Sequence, residues 1–155
     1  NNLLQYADLE KKVEDVHSSY DRTGKELKSV EARLREVQPL IKNISNYHRL
    51  KPVYDAFQRA KDKPSFKAKH EAELVIFEAA RSTLLAMQGD EKLPSLKTIQ
   101  AEQQRLLEEQ QRLYDERAKL KKEARMIDTL KANVDDFLKP NAERDREHSA
   151  KNELE

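Results

Sequence analysis

The 155 residues contain no cysteine and no tryptophan, only two glycines and five prolines, and aromatic side chains make up 6% of the chain. Without cysteine there are no disulfides and no thiolate metal sites. The four histidines (His17, His48, His70 and His148) share no His-x-His or His-x-x-x-His spacing, so no metal site is expected. Gly24 and Gly89 stand alone and make no phosphate-binding loop, and no Gly-x-Ser-x-Gly nucleophile elbow occurs. No apolar run approaches the ~20 residues of a membrane span, so no membrane contact is expected. An excess of either sign of charge is also missing. Thirty basic and 29 acidic residues leave a net charge of +1, and no long-range field advertises nucleic acid or an anionic membrane. The opening Asn1-Asn2-Leu3 is neither a signal peptide nor an initiator methionine, so the chain is expected to be a piece of a longer soluble protein. The closing Leu154-Glu155 reads as a cloning remnant and is excluded from fold reasoning.

What remains is helix-forming. Leu, Glu, Lys, Gln, Arg and Ala dominate, and 38% of residues are charged against 37% hydrophobic. That balance suits narrow buried stripes rather than a thick core. From Tyr6 the apolar positions step by three and four through Leu9, Val13, Val16, Tyr20, Thr23, Leu27, Val30, Leu34, Val37, Ile41 and Ile44, which is a heptad seam. Pro39 lies off this seam and should kink the helix by removing a backbone donor. A second seam repeats every seven residues at Ile99, Leu106, Leu113, Leu120, Ile127 and Val134. If the two helices are antiparallel, partner numbers must add to a constant. Leu9 with Val134, Val16 with Ile127, Thr23 with Leu120, Val30 with Leu113, Val37 with Leu106 and Ile44 with Ile99 all add to 143.

The expected fold is therefore all-α: a long antiparallel two-helix coiled coil with a small helical cap inserted between its arms. Residues 3–47 form the first arm, 48–94 the cap and 95–139 the second arm, within one helical domain over 1–139. Each arm is about 45 residues, or roughly 65 Å at 1.5 Å per residue. Pro52 and Asp62-Lys63-Pro64-Ser65 are stop and start signals inside the cap. The stretch from Leu74-Val75-Ile76-Phe77 to Met87 is apolar nearly all round and is expected to be a buried helix. Gly89 ends it, and either Pro94 or Ser95 opens the last helix. That helix should stop near Lys139, before Pro140, leaving residues 140–155 as a charged, disordered tail.

In the second layer of the pairing Tyr20 should lie near Ala124, while Leu27, Leu34 and Ile41 face Arg117, Gln110 and Gln103. Either the aliphatic stems of Arg and Gln cover those side chains, or a second chain or another part of the parent protein packs along the neighbouring stripe of Leu107 and Tyr114. The carboxylates fall among Lys and Arg at helical spacing, as in Glu108, Glu109, Arg112 and Glu116, which describes a solvated helix face rather than acid-base machinery. No catalytic residue, cofactor or small-molecule ligand is expected. Tyr47, Tyr54, Phe57 and Phe66 occupy apolar positions of the cap and read as packing rather than base-stacking residues. Local charge is uneven. Arg49, Lys51, Arg59, Lys61, Lys63, Lys67 and Lys69 face only Asp55 and Asp62 between residues 49 and 70, and Arg117, Lys119, Lys121, Lys122 and Arg125 cluster around Glu123. The first group is a candidate contact for a polyanion, giving weak, sequence-independent DNA affinity, against the plainer reading of a solvated surface.

The stretches Asn43 to Phe57 (NISNYHRLKPVYDAF), His70 to Ala80 (HEAELVIFEAA), Lys92 to Leu96 (KLPSL) and Thr129 to Leu138 (TLKANVDDFL) resemble the region downstream of the nuclease domain in relaxases, the mobilisation nucleases of conjugative elements from Gram-positive bacteria. The likeness covers about residues 3–139. It implies a cytoplasmic bacterial parent that nicks one DNA strand at an origin of transfer through a tyrosine and a histidine-held metal. This chain has no histidine cluster and no tyrosine beside one, so the resemblance transfers no catalytic residue. It implies a non-catalytic accessory domain serving protein docking, self-association or weak DNA binding; the alternative is a coiled-coil scaffold unrelated to DNA transfer.

Overall fold

The computed structural model describes the backbone of residues 2–89 and 91–153 and the side chains of residues 3–89 and 91–138. Four helices and no strand occur among the described residues: α1 (Asn2–Arg59), α2 (Lys63–Lys69), α3 (Glu71–Gln88) and α4 (Leu96–Glu153). The all-α class follows from the near-absence of residues that end helices, and three helix boundaries fall at residues whose chemistry sets them. Asp62 caps α2 by accepting from the Ser65 amide at 3.2 Å, with Pro64 in the first turn. Gly89 closes α3 at φ 59°, a conformation that favours glycine, and its amide returns to the Leu85 carbonyl at 3.0 Å. Ser95 caps α4, its hydroxyl accepting from the Thr98 amide at 3.2 Å, so Pro94 precedes the helix.

Two helix ends depart from expectation. α1 does not stop near residue 47 but continues through Pro52 to Arg59. A proline inside a helix costs about 3 kcal/mol. Next to Pro52, Leu50 is buried, and Tyr47 and Tyr54 each stack on Phe77, with ring centroids 5.2 and 4.5 Å apart. Burying a leucine contributes about 1.5–3 kcal/mol and each aromatic pair about 0.5–1.5 kcal/mol, enough to offset the proline. α4 likewise runs past Lys139 to Glu153. Pro140 removes a single backbone donor, and the Ala, Glu, Arg and Lys that follow are strong helix formers. The side chains of the expected charged tail lie outside the described residues.

The chain divides into two compact units whose boundaries fall inside α1 and α4. The first comprises Asn1–Lys28 with Gln111–Glu155. In it Tyr6 donates to Asp135 at 2.6 Å, His17 Nε2 meets both carboxylate oxygens of Asp128 at 2.9 and 3.1 Å, and the Arg117 guanidinium lies 4.3 Å from the centre of the Tyr20 ring. These partners follow opposite chain orders on the two helices. The Asp135 carboxylate, by accepting the Tyr6 hydroxyl's hydrogen bond, pushes that phenol up to about 12, with smaller help from burial. Val16, Leu27, Leu113 and Ile127 are buried, as is the polar Thr23, whose hydroxyl is satisfied by the Tyr20 carbonyl at 2.7 Å.

The second unit is Ser29–Gln110. Its core joins three helices: Val37, Leu40 and Ile44 of α1, Leu84 of α3 and Ile99 of α4, with Tyr47, Leu93, Leu96 and Leu106 packed around them. The expected core role of the cap aromatics agrees with the ring contacts, since Phe57 meets Phe66 at 6.1 Å and Phe66 meets His70 at 4.4 Å. α3 itself is not buried all round as its composition suggested. Leu74, Phe77, Ala80 and Leu84 are buried, whereas Val75 is 61% exposed and Leu85 60%, because α3 packs through one face only.

Gly24 occupies a buried position in α1 where a Cβ would come within 3.2 Å of the Arg117 guanidinium. That neighbour is the end of a flexible side chain and can shift by a few tenths of an ångström. Relieving a helical glycine gains about 1 kcal/mol, so Gly24→Ala should raise the urea midpoint, to a net gain below that figure. A lower midpoint would mean that the Arg117–Tyr20 stack does not yield.

Candidate interaction surface

Among the described residues no group of three His, Asp or Glu side chains is arranged to hold a metal, and no helix is long and apolar enough to cross a membrane. The features that offer chemistry lie in the second unit. All seven basic side chains singled out from the sequence are exposed, but they do not act alike. Lys51 is paired with Asp55 at 2.9 Å, and the hydrogen bond to that carboxylate raises its pKa above the ordinary lysine value. Arg59 donates to the Asp55 carbonyl at 3.3 Å and Arg49 to Asn46 at 3.3 Å. Lys61, Lys63, Lys67 and Lys69 have no ion-pair partner among the described residues. Three of these lie on α2, where Lys63 and Lys67 are one turn apart and share a face.

Lys67 also borders a groove of about 300 Å³ formed by the last turns of α1, by α2 and by α3. Tyr54, Phe57, Leu74 and Val75 make its apolar floor, and Glu71 and Glu78 stand along the α3 side. The two aromatic rings are fixed from behind: Tyr54 stacks on Phe77 and receives an Arg81 hydrogen bond at 3.2 Å, while Phe57 leans on Phe66. The floor rings are therefore backed from within, and Ile76, next to Val75 on α3, is also exposed. Charge counting found the lysines. It missed the groove because the apolar run 74–77 reads as buried until the number of helices packing on α3 is known.

Leu107 and Tyr114, expected as a self-association stripe, are 45% and 47% exposed. Neither is deeply covered by its own unit. Sequence reading also missed the strongest polar contact of the second unit, because Arg33 and Glu102 are 69 residues apart. Arg33 Nε donates to one Glu102 oxygen at 2.6 Å and its Nη2 to the other at 3.2 Å, while Nη1 reaches Glu36 at 3.1 Å. This two-point contact holds the Glu102 carboxyl below its ordinary range against a smaller opposing effect of burial, and it raises Arg33 further. A concavity of about 590 Å³ opens beside the pair, floored by Leu40 and Ile99 and edged by Met87 and Thr98.

Because the folded Glu102 titrates below the unfolded value of 4.5, its stabilisation is present above that pH and fades as pH falls through the folded value. The pair is partly exposed, which limits it to about 1 kcal/mol. Glu102→Gln should therefore lower the unfolding free energy by about that amount at pH 7, and the gap to the parent should close as pH drops below 4.5. Urea melts at several pH values check this; a gap that persists at low pH would show the loss is packing rather than charge.

Compared with protein-family models, with curated proteins and with solved structures, the chain shows no match.

Proposed function

We propose that the chain is a non-catalytic interaction module: two heptad-patterned helices paired antiparallel as a coiled coil, with a helical cap that captures another protein. The opposite chain order of the Tyr6–Asp135, His17–Asp128 and Tyr20–Arg117 contacts supports the antiparallel pairing in the first unit. So does the buried heptad series Val16, Thr23, Val37 and Ile44 on α1 against Ile99, Leu113 and Ile127 on α4. The single observation that carries the docking role is α3, an apolar helix that spends one face on its own core and leaves Val75, Ile76, Leu85 and Met87 exposed. Four unpaired lysines adjoin that helix, and they also favour weak phosphate contact as a second reading. In the setting implied by the resemblance to relaxases, the module would serve the parent nuclease as an accessory domain, docking it to other transfer proteins.

The test is a partner captured from a host extract, identified, and then reconstituted with purified protein. A Val75→Glu/Leu85→Glu double variant should keep its helical circular dichroism and bind the purified partner at least ~10-fold more weakly, the size of effect expected when apolar anchors are lost. Equal binding by the variant and the parent chain would remove α3 from the proposed role.

A further inference from the structure

Resting on the antiparallel pairing proposed above, though not on the docking role, we infer that Arg117, Tyr20 and Gly24 form a pairing-specificity device. It fixes which helix α4 meets in the first unit, and at what level, at a cost in stability. The Arg117 Cζ lies 4.3 Å from the centre of the Tyr20 ring. Its guanidinium fills the place of the missing Gly24 side chain, with Nη2 3.2 Å and Nη1 3.7 Å from where a Cβ would stand. Nε is buried with no hydrogen-bond partner among the described residues. A buried, underpaired cation can be replaced by a hydrophobe of similar volume with little loss, or even a gain, in stability. Stability therefore does not account for Arg117. A single polar group in an apolar seam selects register and partner instead.

The seam alone makes no such choice. Its apolar positions recur every seven residues on both helices, so a slip of one heptad still sets apolar residues against apolar residues. The cation tells the levels apart. Moved seven residues along α1, Arg117 would meet Leu27 in place of Tyr20 and Glu31 in place of Gly24; moved the other way, it would meet Val13 and His17. Glu31 would offset the charge, but its Cβ would close the notch, and neither level supplies a ring. The neighbouring cross-helix contact agrees. Asp128, which meets His17, would face Gly24 after the first slip and the like charge of Glu10 after the second. A second copy of α4 does not serve either, because α4 contains no glycine to open a notch.

The chain has no cysteine, so cysteines introduced into the full chain report pairing directly in a thiol–disulfide buffer. His17→Cys with Asp128→Cys reads the native level, and Glu10→Cys with Asp128→Cys reads the slipped one. Disulfide-linked dimers of Asp128→Cys alone read α4 against α4. Each is made in the parent chain and in the Arg117→Leu, Arg117→Lys and Tyr20→Leu variants. In the parent chain the native disulfide should dominate. Arg117→Leu and Tyr20→Leu should each raise the slipped or dimeric disulfide relative to the native one at least ~10-fold, less than the full penalty of a stranded buried charge. Arg117→Lys keeps the cation and should keep the parent ratio. The urea midpoint should hold or rise in Arg117→Leu and fall in Tyr20→Leu, which strands the cation. Loss of unique pairing without loss of stability is what a merely structural arginine would not produce. An unchanged ratio in Arg117→Leu and Tyr20→Leu, a lower midpoint in Arg117→Leu, or a lysine variant that behaves like the leucine one would each overturn the inference. In those cases a dominant native disulfide leaves the antiparallel pairing standing. If that disulfide does not form in the parent chain, the pairing reading fails with it.

Discussion

The meeting of Leu84 with Val37, Leu40, Ile44 and Ile99 is the contact on which the second unit depends. It is where three helices far apart in sequence share one apolar interior. A chain with 37% hydrophobic residues cannot enclose many such points. Remove this junction and α3 keeps the Tyr47–Phe77–Tyr54 stack, the Arg81–Tyr54 hydrogen bond and the burial of Leu74 and Ala80, but loses its tie to α4. Around the junction the polar contacts set alignment more than strength. Arg33 grips Glu102 through two parallel hydrogen bonds, so a slip of either helix would break both at once.

The first unit uses a different device. Its interior contains Thr23 and Gly24 and accepts the long Arg117 side chain, whose charged plane rests on Tyr20 and whose Nε has no hydrogen-bond partner. The sequence pattern led one to expect Ala124 beside Tyr20 and Arg117 opposite Leu27. The small volume of Gly24 makes room for the Arg117 guanidinium on the Tyr20 face, where its attraction to the ring partly replaces lost hydration. A polar layer of this kind lowers stability and discriminates against shifted pairings, since another register would bury the cation without its ring.

Much of the helical architecture is visible from residue spacing because a heptad stripe has one obvious use: Val16, Val37, Ile44, Ile99, Leu113 and Ile127, all seam positions, are buried. Stops were less legible. Asp62, Gly89 and Ser95 end or begin helices as their chemistry dictates, yet Pro52 and Pro140 do not stop theirs, because a proline's local penalty competes with packing and propensity summed over many neighbours. The candidate surface was half legible. Seven basic residues can be counted along a string, but which lysines stay unpaired depends on where Asp55 points, and Val75 could not be separated from Leu74 until the face on which α3 packs was known. Adjacent leucines divide in the same way, since a single step of about 100° around the helix separates core from solvent.

A free face on α3 requires that division, and it can be measured. Leu84 is 2% exposed at the junction and its neighbour Leu85 is 60% exposed. Urea unfolding of Leu84→Ala and Leu85→Ala compares them directly. The first should lose about 2–5 kcal/mol, as buried leucines do elsewhere, and the second less than ~0.5 kcal/mol, as at exposed positions. Equal losses would mean that α3 is covered on both faces and offers no free surface to a partner.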